Sequence, residues 1–94
     1  MNSTTEYKLW EVQHRISRKS DLRTAERAVD PLVWYISTGR APASVELAFN
    51  RATPRQLSTI ANRLFKAQEA GKTVDECISS IRPYLFKMAG ISET

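Results

Sequence analysis

The side chains in this sequence that could do covalent or metal chemistry are few. There is one cysteine, Cys77, and one histidine, His14. A metal centre needs several convergent Cys, His or carboxylate ligands, and these two fall on different elements. Cys77 lies in an apolar run, which predicts a buried, inert thiol rather than a nucleophile. Nothing in the spacing joins it to His14 as a catalytic pair. Three glycines are too few for the usual phosphate-cradling loop. Asp75 and Glu76 are adjacent, but they open a helix, where negative charge is favoured by the helix dipole. The expectation is a non-enzymatic protein with no metal and no cofactor.

What remains is charge. The chain carries a formal net charge of +4. From Leu47 to Gln68 there are four cations (Arg51, Arg55, Arg63 and Lys66) and no acid. At helical spacing Arg55, Thr59, Asn62 and Lys66 share one face, with Gln56 and Arg63 beside it. Guanidinium, ammonium, amide and hydroxyl groups in one row suit phosphates and base edges. The same residues also make an ordinary solvated helix face. A second basic cluster, Arg15, Arg18 and Lys19 with His14 nearby, closes the first element. There, cations also complement a helix C-terminus.

The elements that must position these groups read as helices. Thr53 to Gly71 is the clearest. Thr53 is a good N-cap, Pro54 suits the first helical position, Gln56 completes a capping box, and Gly71 suits a left-handed stop. Leu57, Ile60, Ala61 and Leu64 form its apolar face, with Phe65 on the flank. Towards the C-terminus, Thr73 and Glu76 form a second capping box. Val74, Cys77, Ile78, Ile81, Leu85 and Met88 then keep one stripe to about Met88, interrupted from the opposite side by Pro83.

Upstream, Leu9, Val12 and Ile16 recur at helical spacing from about Glu6 to Arg18. A strand stays open there, because Trp10, Val12, His14 and Ile16 alternate. Helix is preferred, since Lys8, Glu11, Arg15 and Arg18 then form one polar face. Asp21 to about Thr38 reads as one helix bent at Pro31, or two meeting there, with Leu22, Ala25, Val29, Leu32, Val33 and Ile36 inward and Pro31 on the outer face. Ser44 is placed to cap a short helix from Val45 to about Arg51. Its junction with the next helix, Arg51 to Thr53, raises a helix-turn-helix. The match is loose: Ala52 stands where the turn usually has glycine, and Ser58 where an apolar residue would lock the helices.

The fold class is therefore all-α: one small domain over residues 1–94, a compact irregular bundle of four to five helices, two of them kinked at proline. Residues 1–5 and 91–94 are expected to fray. The expected core is Leu22, Val29, Val33, Ile36, Leu57, Ile60, Leu64, Ile78, Ile81 and Leu85. A single cysteine, no apolar run long enough for a membrane span and no signal-peptide pattern suggest a cytoplasmic protein.

Two functions are expected from different classes. The first is a small regulator that binds nucleic acid, DNA foremost, through Arg51, Arg55, Gln56, Thr59, Asn62, Arg63 and Lys66, with Arg15, Arg18 and Lys19 as a secondary patch. The second is an adaptor or inhibitor docking on a larger, nucleic-acid-processing protein, with Trp34, Tyr35 or Tyr84 as anchors and the basic face meeting an acidic partner. A homodimer through a helix face stays open.

Overall fold

Five α-helices follow one another with short connections, and no strand occurs among the described residues: α1 (Ser3–Ser17), α2 (Leu22–Ser37), α3 (Ala43–Asn50), α4 (Pro54–Glu69) and α5 (Val74–Ala89). The computed structural model describes residues 2–92. Its radius of gyration, 12.0 Å, is about that of a compact chain of this length. None of these helices is long and apolar enough to cross a membrane.

Local sequence accounts for the helix ends. In α4 the Thr53 hydroxyl accepts from the Gln56 amide N–H at 3.2 Å, and Gln56 Oε1 accepts from the Thr53 N–H at 2.9 Å. Thr73 and Glu76 make the same reciprocal pair at α5. Beyond α4, Gly71 adopts a φ of +71°. Its N–H donates to Gln68 O and that of Lys72 to Ala67 O, so the last carbonyls are satisfied where any other residue would be strained.

The two boxes differ in one atom type that matters for acid stability. The Thr73 N–H donates to the Glu76 carboxylate and holds it below the usual range, whereas Gln56 does not titrate. A carboxyl with a depressed folded pKa stabilises above its unfolded pKa, near 4.5, and loses that contribution as pH falls through the folded value. Glu76→Gln is therefore expected to keep the cap yet flatten the loss of stability below about pH 4. Urea midpoints at neutral pH and in acid measure this. An equal acid sensitivity in both proteins would contradict it.

Packing follows the apolar faces. α1 lies against α2 and α4, α4 against α5 and α2, and α3 against α5 and α1. Eight of the ten expected core residues are buried. The other two are corrections. Leu22, the first residue of α2, lies at the end of the bundle and is 59% exposed. Val33 is half-buried against the core.

The cause is a rotation of α2. It meets α4 and α5 as well as α1, so its buried arc extends to Ala28, Pro31 and Tyr35. Pro31 is therefore buried, not outward. α2 and α5 each run unbroken through their prolines, and Pro83 does face outward. A buried proline suits this position, because it brings an apolar ring and no N–H in need of a partner.

Three further differences concern α1 and α3. α1 is helical from Ser3 to Ser17, as preferred over a strand, but it begins before Glu6. Asn2 caps it, accepting from the Thr5 N–H at 2.7 Å. Thr5, expected in a frayed end, is fully buried, with its hydroxyl 2.7 Å from Asn50 Oδ1. The fraying expected at Met1, Glu93 and Thr94 lies outside the described residues. Finally, α3 begins at Ala43 behind Pro42, with no side-chain cap, so Ser44 lies within the helix.

Candidate nucleic-acid interface

The apolar side of α4 is turned wholly inward: Leu57, Ile60, Ala61, Leu64 and Ala67 are buried. This forces Arg55, Asn62 and Lys66 outward, and all three are exposed. Thr59 shares their row but is half-buried, and its hydroxyl donates to Arg55 O at 3.2 Å. Arg55 stands in the first turn, which has no acid. A cation is out of place there, because the helix dipole favours negative charge at that end.

α1 docks along one flank of this ridge and brings the second basic cluster to it. Arg15 Nε donates to Ser58 Oγ at 3.1 Å. The Lys19 ammonium donates to Asn62 Oδ1. This fixes the Asn62 oxygen toward Lys19 and leaves its NH2 donors for another partner. Two patches far apart in sequence thus become one surface. Ser58 also gains a role: the hydroxyl where an apolar lock was expected receives α1's arginine. Lys8, further along α1, donates to Ala52 O at 2.9 Å and ties down the turn that leads into α4.

Not every expected cation is available. Arg15 is half-buried and ion-paired with Glu11, whose carboxyl it holds below the usual range. It positions α1 on α4 and is neutralised. This is the only ion pair among the described residues, so Arg18, Lys19, Arg55, Arg63 and Lys66 have no carboxylate partner. Arg63 turns toward α5, with its guanidinium 5.0 Å from the Tyr84 ring centroid. There it lines a shallow groove with Lys66, Lys72 and Ser80. Lys72 was missed in the sequence, where it reads only as a residue before a cap. Arg51 and Gln56 line a separate groove with Leu47 and Met88. Gln56 is half-buried and engaged in its cap, so these two stand off the ridge.

The aromatic anchors fare unequally. Tyr35 is buried at 5% exposure and cannot anchor a partner. Tyr84 is half-buried beneath Arg63. Trp34 remains at the surface with the Arg40 guanidinium 4.1 Å from its ring centroid, beside a groove lined by Pro31 and Val74. His14 is exposed on α1, while Cys77 is buried in α5 and burial pushes its thiol pKa up. Among the described residues no three His, Cys, Asp or Glu side chains gather as a metal site.

The helix-turn-helix suggestion also meets the packing. α3 lies on α5 and α1 rather than across α4, so it does not brace α4 as the first helix of that motif braces the second. No family model, curated protein or solved structure matches this chain. The functional reading therefore stands on geometry and charge alone.

Proposed function

We propose that this is a small non-enzymatic, cytoplasmic regulator that binds nucleic acid, DNA foremost, through the α1–α4 basic face. The observation that carries the reading is the joining of the two clusters. Lys19 reaches Asn62, so Arg18 and Lys19 adjoin the row of Arg55, Asn62 and Lys66, with Arg63 and Lys72 on the far flank. Cations grouped in this way and left without acids neutralise phosphates, and counterion release supplies the affinity. Arg55 adds weight, because its place at a helix N-terminus does not serve the stability of the fold.

Amide chemical-shift mapping tests this. On addition of DNA, the largest perturbations are expected at Arg18, Lys19, Arg55, Asn62 and Lys66, with little change at Arg51 and Trp34. Perturbations centred on Trp34 and Arg40, or none, would contradict it. The docking alternative, an adaptor or inhibitor on a larger protein, retains Trp34 as its anchor.

A further inference from the structure

Beside the basic face, α1 carries an aromatic row that phosphate binding leaves unused. The Tyr7 and Trp10 rings stack with centroids 6.1 Å apart, and Trp10 and His14 stack at 5.1 Å with planes 10° apart. Tyr7 is 57% and Trp10 53% exposed. Trp10 also borders an open groove between α1 and α2 that Leu9, Val29 and Val33 line. Rings of this size are usually covered in a folded domain, and a contiguous exposed set marks a contact surface.

The row leads into the cations. Tyr7, Trp10 and His14 follow one helical stripe, and the next position on it is Arg18. Tyr7 to Arg18 spans about 16 Å along the axis. Arg18 adjoins Lys19, which bonds Asn62 on α4. Of the acids beside this strip, Glu11 is ion-paired with Arg15 and so compensated, while the exposed Glu6, which lines the same groove as Trp10, adds one negative charge at the far end from Arg18.

Strandedness follows from this pairing. A duplex shows phosphates outside and keeps its base faces stacked within, so it needs cations and gains little from exposed rings. A single strand has open base faces, and a cationic track lined by aromatic rings is the combination that holds one. We infer that the Tyr7–Trp10–His14 row is a stacking platform for unpaired bases of single-stranded DNA whose phosphates lie along Arg18, Lys19 and the α4 cations. This rests on the basic face proposed above and names the form of nucleic acid it takes.

A Trp34→Phe background leaves Trp10 as the sole tryptophan of the two. Its fluorescence is followed during titration with an oligothymidylate and with a duplex of equal phosphate number. The single strand is expected to quench Trp10 and bind about tenfold tighter than the duplex. In a chain with Trp34 restored, Trp10→Ala, read by anisotropy, is expected to lower single-strand affinity about tenfold and leave duplex affinity unchanged. Trp10→Phe, which keeps a ring, recovers most of the loss. Thermal unfolding of Trp10→Ala close to wild type shows that the effect is not a folding defect.

Equal binding of both forms with no effect of Trp10 would overturn the platform and leave the basic face standing. No salt-dependent binding of either form would remove both. A Trp10→Ala variant that changes the sedimentation of the free protein would assign the row to a second copy of the chain. Tighter binding of a matched RNA strand would overturn the assignment to DNA.

Discussion

Reversing two charges on the α4 ridge, Arg55→Glu with Lys66→Glu, is expected to weaken DNA binding about a hundredfold at 0.1 M salt. Each cation that neutralises a phosphate contributes about 0.9 to the logarithmic salt slope on a duplex, so losing two removes nearly two decades of affinity there. The reversal adds repulsion to that loss. The fold is expected to tolerate it. Both side chains are exposed and neither has an ionic partner among the described residues. Glutamate at position 55 adds an acid to a first turn that has none, which favours the helix, while glutamate at 66 replaces the basic residue of the last turn. The two effects oppose each other at a few tenths of a kcal/mol, roughly. Anisotropy titration reads the affinity and circular dichroism the fold. An affinity unchanged within about threefold would contradict the assignment of the ridge.

Phe49→Ala is expected to have the largest effect on stability, about 3–5 kcal/mol. Phe49 is the largest fully buried side chain, and it belongs to the shortest helix. α3 has no side-chain cap at its N-terminus, so little local energy holds it. It stays in place through Val45 and Phe49, both wholly buried, and through its contacts with α5 and α1. Truncation leaves a cavity that helix backbones cannot close. A domain of this length has about 5–14 kcal/mol in total, so the variant loses a large share of its stability and melts on the order of 20 °C lower. Urea unfolding measures the loss. A cost below about 1 kcal/mol would show that α3 is not seated on the core.

The fold was legible in the sequence where local rules and the apolar period agree. Both capping boxes, the stop at Gly71 and the buried faces of α4 and α5 follow from residue types at short range. Misreadings arose where a residue's surroundings come from distant elements. The stripe expected for α2 holds at Ala25, Val29, Leu32 and Ile36 but not at its edge, Leu22 and Val33, because single-helix periodicity cannot show that the helix meets α4 and α5 as well and buries Pro31 and Tyr35. Thr5 looked like a loose end because its partner, Asn50, lies on α3.

The candidate site divides in the same way. The α4 ridge could be read from spacing alone, since one buried face fixes the opposite one. Its union with Arg18 and Lys19, and the neutralisation of Arg15 by Glu11, needed the packing of α1 on α4. The aromatic row had a visible signal, rings at positions 7, 10 and 14. It was obscured by the competing strand alternation of Trp10, Val12, His14 and Ile16, and only the helix brings the three rings into one stack.

One titration bears most directly on the basic face: anisotropy of labelled single-stranded and duplex DNA with the unaltered protein at salt concentrations from about 50 to 200 mM. Arg18, Lys19, Arg55, Arg63 and Lys66 are five of the exposed cations on this surface that form no ion pair among the described residues. Neutralisation of phosphates by these five predicts a slope of log affinity against log salt of about −3 to −5. A slope near zero, or no binding at the lowest salt, would contradict it.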